Sequence, residues 1–325
     1  MRKIYILVLI LFIFPLFGCN QNINSNIYIS SIGLEIKDDK LITYFLSNPL
    51  TNISRGDGKE EKDKTEYIKV ETTSVYDAFI EAEKSLLFPL NYRHIKSVIF
   101  HKDVFKTSYI NEFLEFMKSV KFVSFNYYVF STRSKLEELY EFSTPEQISY
   151  QYSVLSSPDL LNFHQYGTEK LHFLDFADSY YVDNRYLHIP LLAVNKTWKD
   201  KTTIEVEGFL NAKKCDVFLS KDYPGMLYLY ENEALTISTS NSIYTATNYR
   251  VSKSIIDNIY TIVVDYTNLL INGEGSEEEF TDYIKKEIST YFADYIEKEG
   301  GLYMIKLYNY LNKKTLNLFE YKIEC

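Results

Sequence analysis

The first nineteen residues constrain this chain more than any other stretch, because they decide where it folds. Arg2 and Lys3 make a short positive start, Ile4 to Phe14 an apolar run, and Leu16-Phe17-Gly18-Cys19 a cleavage site of the lipobox type. A bilayer-spanning helix takes about 20 apolar residues, so this run is too short for a permanent anchor and has the form of an export signal. A lipobox wants a branched apolar residue three before the cysteine and a small residue just before it, and Leu16 and Gly18 meet both demands. Cys19 is then the site of diacylglyceryl attachment and the new N-terminus. Residues 1–18 read as the leader and residues 19–26, rich in Asn, Gln and Ser, as a tether to the folded part. Two acyl chains on one residue hold a protein durably to a membrane where a single chain would not.

Removal of the leader takes Arg2 and Lys3 with it, and the formal net charge goes from −9 to −11. An acidic surface is repelled by nucleic acid and by anionic head groups, so nucleic acid is not an expected partner and membrane attachment falls to the lipid. At 325 residues, 46% of them hydrophobic and 24% charged, the chain can bury a sizeable core in two domains or three small ones. Its 30 Tyr and 22 Phe suit strands and cores. Cys215 and Cys325 lie too far apart in sequence to form a disulfide framework, and the sequence leaves their pairing open.

Past the tether, Ile27 to Ile36 and Leu41 to Leu46 are β-rich runs joined through Lys37-Asp38-Asp39-Lys40, a hairpin pattern. Residues 48–64 are a charged loop with Pro49, Gly56 and Gly58, and the Arg55-Gly56-Asp57 tripeptide within it is too short to carry meaning. Strand-like and helix-like segments then alternate. Tyr67 to Val70 is strand-like, and Ser74 with Asp77 resembles a capping box opening a helix whose inner face is Val75, Phe79, Ala82 and Leu86. Ile95 to Phe100 is a strand, and Ile110, Phe113, Leu114, Met117 and Val120 repeat at helical spacing. Tyr127 to Phe130 is another strand, Leu136, Leu139 and Tyr140 mark a helix, and Thr168 to Tyr180 is a further short one.

Tyr186 to Val194, interrupted by Pro190, is expected as an edge strand. Polar residues 195–201 are expected as a boundary. Beyond them Ile204 to Leu210 and Cys215 to Leu219 are expected to form a second hairpin through Asn211 to Lys214, followed by strands at Ala234 to Ser238, Ser242 to Tyr249 and Tyr260 to Tyr266. The clearest helix follows. Ser276 and Glu279 make its capping box, Phe280, Ile284, Ile288, Phe292, Tyr295 and Ile296 its apolar stripe, and Gly300-Gly301 its stop. That stripe must cover something, and the preceding strands are the natural partner. The expected C-terminal unit is an antiparallel sheet under one long helix.

Catalytic signatures are missing where they would be expected. His94, His101, His164, His172 and His188 include no HExxH arrangement and no cysteine pair beside them, and His164 and His172, eight apart, are only a weak metal pair. There is no GxSxG elbow, P-loop or dinucleotide fingerprint. Glu277-Glu278-Glu279 opens a helix, where negative charge favours the macrodipole. No enzyme activity, metal or cofactor is expected, and no ligand-contact residues are assigned.

Two stretches behind the lipobox resemble the Ger(x)C lipoproteins, the C subunits of GerA-class spore germinant receptors. The first runs from Ser74-Val75-Tyr76-Asp77-Ala78-Phe79 through Asn91-Tyr92-Arg93-His94-Ile95-Lys96-Ser97-Val98-Ile99-Phe100. It has the family's helix beginning at a serine, a break, a histidine-containing lead-in and an apolar strand. The second is Ile189-Pro190-Leu191-Leu192, then Ile204-Glu205-Val206-Glu207-Gly208-Phe209 and Cys215-Asp216-Val217-Phe218-Leu219, where the family has a strand into a proline and a glycine-centred hairpin. The order matches from Ile29 to about Ile296. Two departures stand out. The family usually has Trp-Asp after the cysteine where this chain has Asn20-Gln21-Asn22, and the stretch from Gly301 to Cys325 is short for its third domain.

The resemblance implies an α+β fold, with mixed or antiparallel sheets flanked by helices in two or three successive domains. Residues 27–194 would form the N-terminal region, and residues 202–325 a shortened sheet-plus-helix domain. It also implies a non-catalytic subunit lipidated at Cys19, held on the extracytoplasmic face of the spore inner membrane with membrane A-type and B-type subunits, and needed for nutrient-triggered germination. The rival is a solute-binding lipoprotein of an importer, usually two doubly wound lobes. The hairpin-rich C-terminal half argues against it, and a secreted hydrolase is weaker still.

Overall fold

The computed structural model describes residues 27–47, 67–84, 86, 89–120, 125–141, 155, 168–182, 187–195, 203–230, 232–256, 259–299, 303–309 and 314–321. The leader, Cys19, the tether, the tripeptide at 55–57, His164 and Cys325 lie outside them.

The chain is α+β, with two mixed sheets and helices. It opens on β1 (Ile27–Lys37) and β2 (Lys40–Ser47), antiparallel strands joined where the hairpin was expected. Asp38 and Asp39 both take positive φ, 50° and 62°, as a two-residue type I′ turn requires. Strand β3 (Tyr67–Thr72) pairs with β2. Next come α1 (Val75–Lys84), the short β4 (Leu90–Asn91), β5 (Ser97–His101), a 3-10 turn (Lys102–Lys106) and α2 (Tyr109–Ser119). These lead into β6 (Tyr128–Thr132), α3 (Leu136–Tyr140), α4 (Phe173–Val182), β7 (His188–Asn195), β8 (Thr203–Asn211) and β9 (Asp216–Leu219).

The strand order is β3-β2-β1-β5-β6-β7-β8-β9, with β4 beside β1. Strands β1, β5, β6 and β7 run parallel, and antiparallel hairpins finish both edges. Central parallel strands are covered on both faces, which is why β5 and β6 are almost continuously buried. Val98, Phe100 and Val129 enter one core with α1, α2 and α4, whereas Ile99, Tyr128 and Phe130 enter another with α3. Ile29 and Ile32, three apart, share the first core because the β1–β2 register shifts between Ile29 and Ser31. Each large apolar side chain so buried contributes about 1.5–3 kcal/mol.

Three expectations need correction, the third of them in the second sheet. Strand β7 is internal, not an edge. Its ladder to β6 involves only Leu191 and Leu192, so it begins just beyond the missing N–H of Pro190. The β8–β9 hairpin also hydrogen-bonds to β7 and completes the first sheet, so residues 195–201 do not separate the sheets. The hairpin turn falls at Asn211 to Lys214, as the sequence predicts, and Gly208 lies ahead of it. Gly208 sits within β8 at φ 150°, beside a bulge of β8 in which Glu207 is the extra residue, and a Cβ there would run into the Phe218 carbonyl. The turn itself uses Asn211, which accepts from the Lys213 and Lys214 amides, and Cys215 at φ 59°.

A 3-10 turn (Pro224–Leu229) leads to the second sheet: β10 (Asn232–Ser238), β11 (Ser242–Ile256), β12 (Ile259–Tyr266) and β13 (Asn268–Gly273). Helix α5 (Glu277–Glu299), β14 (Tyr303–Asn309) and β15 (Lys314–Tyr321) complete it. The order is β10-β11-β12-β14-β15, with β13 beside β11. Because α5 carries the chain over the sheet, β14 returns parallel to β12, and the sheet is mixed, not antiparallel throughout. Phe280, Ile284, Ile288 and Phe292 are buried beneath α5, as the stripe required. Both caps form, Asp77 N donating to Ser74 Oγ at 3.1 Å and Glu279 N to Ser276 Oγ at 3.2 Å, and the second is a full capping box because Ser276 N also donates to Glu279 at 3.3 Å.

Candidate functional site

The described histidines are dispersed along the chain, at His94, His101, His172 and His188. His94 is exposed with its ring edge on Tyr28 at 5.0 Å, and His101 Nδ1 accepts from the Asp103 amide at 3.4 Å, capping the first 3-10 turn. His172 packs 4.5 Å from the Tyr128 ring, and its buried Nδ1 has no hydrogen-bond partner. Among the described residues no group of three or more His, Cys, Asp or Glu side chains is placed to hold a metal ion. Cys215 is a free thiol whose pKa is raised by burial.

A polar cluster pins α3 to the first sheet. Ser97 Oγ donates to the Leu155 carbonyl at 2.8 Å and lies 2.9 Å from Ser31 Oγ, itself 3.2 Å from the Tyr140 hydroxyl. Further along the same face of β1, past Gly33, Glu35 accepts from the Leu136 amide at 3.2 Å, at the start of α3, and from Tyr44 OH at 3.4 Å. Burial, followed by the Glu35 and Glu137 charges, pushes the Tyr44 phenol well above its ordinary range, so it acts as a neutral donor. Every hydroxyl here has a partner, and the Ser31–Tyr140 contact is the one that joins helix to sheet.

The arrangement best suited to a working role is the seam between the two sheets, where an aromatic run passes from β7 to α5. His188 stacks on Phe209 at 4.2 Å and Phe209 on Phe218 at 4.9 Å. The last pair follows from register, since Phe209 and Phe218 face one another in the β8–β9 hairpin. Phe218 meets Tyr223 at 5.7 Å and Tyr291 of α5 at 6.3 Å. Phe209 and Phe218 thus belong to the second core although their strands belong to the first sheet. The second 3-10 turn closes the seam. Gly225 lies so near the α5 backbone that a Cβ would run into Glu287, and Tyr249 OH donates to Tyr228 O at 2.7 Å.

Two titratable groups belong to the seam, His188 within the run and Lys253 near it. Burial, and secondly the Lys253 charge, hold the His188 pKa down to about 4, so its imidazole is neutral near pH 7. Lys253 lies 4.4 Å over the Tyr230 ring and 3.8 Å from Glu169. Partial burial lowers its amine pKa, while Glu169 opposes the shift. The seam packs residues of the first sheet into the core of the second through contiguous aromatic rings. The sequence carried little sign of it, because His188 meets Phe209 only through the β7–β8 pairing.

The family model described as the spore germination protein N-terminal domain matches residues 20–194. That is more than half of the chain, and the chain belongs to this family, in agreement with its resemblance to the Ger(x)C lipoproteins. A solved structure titled as the crystal structure of the GerBC protein is similar over 80% of this chain and 79% of that one, with 13% sequence identity and a TM-score of 0.40. No curated protein matches the sequence.

Proposed function

We propose that this chain is the lipid-anchored, non-catalytic C subunit of a spore germinant receptor. It would be processed after residue 18, acylated at Cys19, and held by the short tether on the extracytoplasmic face of the spore inner membrane. There it assembles with the A-type and B-type membrane subunits and takes part in the response to nutrients. The observation that carries this reading is the family match, which opens at residue 20, directly after the lipobox cysteine. Among the described residues no helix is long and apolar enough to cross a membrane, so an acyl anchor is the attachment this reading calls for. The subunit contributes assembly and coupling, and the seam joins its two sheets into one responsive unit.

Co-purification tests the proposal. Tagged protein extracted from spore membranes in mild detergent is expected to bring down A-type and B-type subunits in fixed proportion. Recovery without either subunit, under conditions that keep them together with each other, would overturn it.

A further inference from the structure

We propose that the outer surface of the helical layer formed by α1, α2 and α4 docks a cationic amphipathic segment of a partner protein. Six large apolar side chains stand exposed among the described residues, and four of them are here: Tyr76 at 62%, Leu174 at 57%, Tyr181 at 46% and Ile80 at 36%. Tyr76 and Ile80 lie one turn apart on α1, and Leu174 and Tyr181 two turns apart on α4, so each pair shares a face. Helix α2 joins the pairs. Tyr76 meets Phe116 at 6.1 Å, while Tyr181 donates to Glu115 at 2.9 Å and carries Lys118 4.2 Å from its ring. The inward faces of these helices are already filled by Phe79, Phe113 and Phe176. The outer apolar residues are therefore surplus to the core, and Phe116, Glu115 and Lys118 of α2 link Tyr76 to Tyr181.

Charge selects the occupant. The three helices carry seven carboxylates and two lysines, and Lys84 and Lys118 are both tied up in ion pairs with Glu81 and Glu115 of their own helices. A field of that sign repels anionic lipid, and it repels a second copy of the same surface. A segment with apolar residues at helical spacing, flanked by lysine or arginine, complements both the ridge and its rim. The inference rests on the receptor reading for the partner's identity, since it supplies that assembly with a contact surface. The recognition chemistry stands by itself.

The test uses the full mature chain carrying Cys19→Ser, so that no acyl group interferes. Its probes are a leucine–lysine amphipathic helical peptide, a leucine–glutamate peptide of the same spacing, and vesicles of anionic or zwitterionic lipid. The leucine–lysine peptide should bind and weaken with salt. Both the Tyr76→Ser/Tyr181→Ser pair and the Glu83→Lys/Asp175→Lys pair should weaken it at least tenfold, with unchanged circular dichroism and thermal unfolding. The charge-reversal pair leaves the aromatic contacts intact, so it decides the matter should the serine pair fold poorly. Equal binding of the two peptides, or variants that bind like the parent chain, would overturn the proposal. So would vesicle adsorption abolished by the same variants, which would assign the surface to the membrane. Normal germination in a strain lacking the gene would sink the receptor reading and leave peptide binding intact, so the two failures are distinguishable.

Discussion

Asn248 donates its side-chain amide to Thr267 Oγ1 at 2.9 Å, at the point where the long hairpin of the second sheet changes faces. Strand β11 pairs with β12 from Ile256↔Ile259 to Arg250↔Asp265 and with β13 from Thr247↔Asn268 to Ser242↔Gly273, in one unbroken register. Yet the buried positions shift parity: Tyr244 and Ala246 precede Tyr249 on one strand, and Ile262, Val264 and Tyr266 give way to Leu269 and Ile271 on the other. Ordinarily a change of face needs a one-residue slip. Here Asn248, at φ 50°, and Thr267, bonded through N and Oγ1 to Thr247 O at 3.0 and 3.1 Å, kink together and keep the register.

Asn248→Gly should therefore be tolerated and Asn248→Val should not. Glycine keeps the left-handed backbone and loses one hydrogen bond, about 1 kcal/mol. Valine loses the bond and adds about 1–2 kcal/mol for a side chain in that region. Urea unfolding of the two variants checks this, and equal midpoints would contradict it.

Gly225→Ala is expected to lower thermal stability by about 1–3 kcal/mol, because its methyl must displace the backbone of α5 at Glu287. Calorimetry against Gly275→Ala, where the obstruction is side-chain atoms of Tyr244 and Ser242, separates a backbone collision from one that can relax. The Gly225 variant should be the worse of the two.

Acid should loosen the seam through His188. Its folded pKa, about 4, is below the ordinary 6.5, so the unfolded chain binds the proton more readily. Stability from this group is complete above pH 6.5 and is lost as pH falls towards 4, by up to about 3 kcal/mol. His188→Phe keeps a ring on Phe209 and should flatten the wild-type loss across that window. Parallel curves for the two proteins would contradict the assignment.

On the proposed lipid anchoring, which makes the Cys19 thiol the attachment point, Cys19→Ala should abolish acyl labelling and move the protein from the membrane to the soluble fraction. Labelling that persists would mean that the lipobox has been misread.

What could be read from the sequence was local. Ser74 with Asp77 and Ser276 with Glu279 announce helix starts, and the Phe280, Ile284, Ile288 and Phe292 stripe announces what α5 covers, because the signals span a few residues. Pairing across distance was not legible. Nothing near Thr203 says that β8 will join β7, and Pro190 argued for an edge that the two-residue ladder at Leu191 and Leu192 made unnecessary. Strand β13 went unread, since Asn268 to Gly273 owes its place to β11 and is mostly exposed. Cys19 was legible as a motif. The seam was not, because it is assembled from β7, β8, β9 and α5 by register and packing.

Germination of spores lacking this gene tests the central claim most directly. The account predicts spores that form normally, respond slowly or not at all to one nutrient, and germinate as usual when triggered downstream of the receptor, with the response restored by the intact gene and not by its Cys19→Ala form. Unchanged responses to every nutrient tried, in a strain shown to express no other C-type subunit, would contradict it.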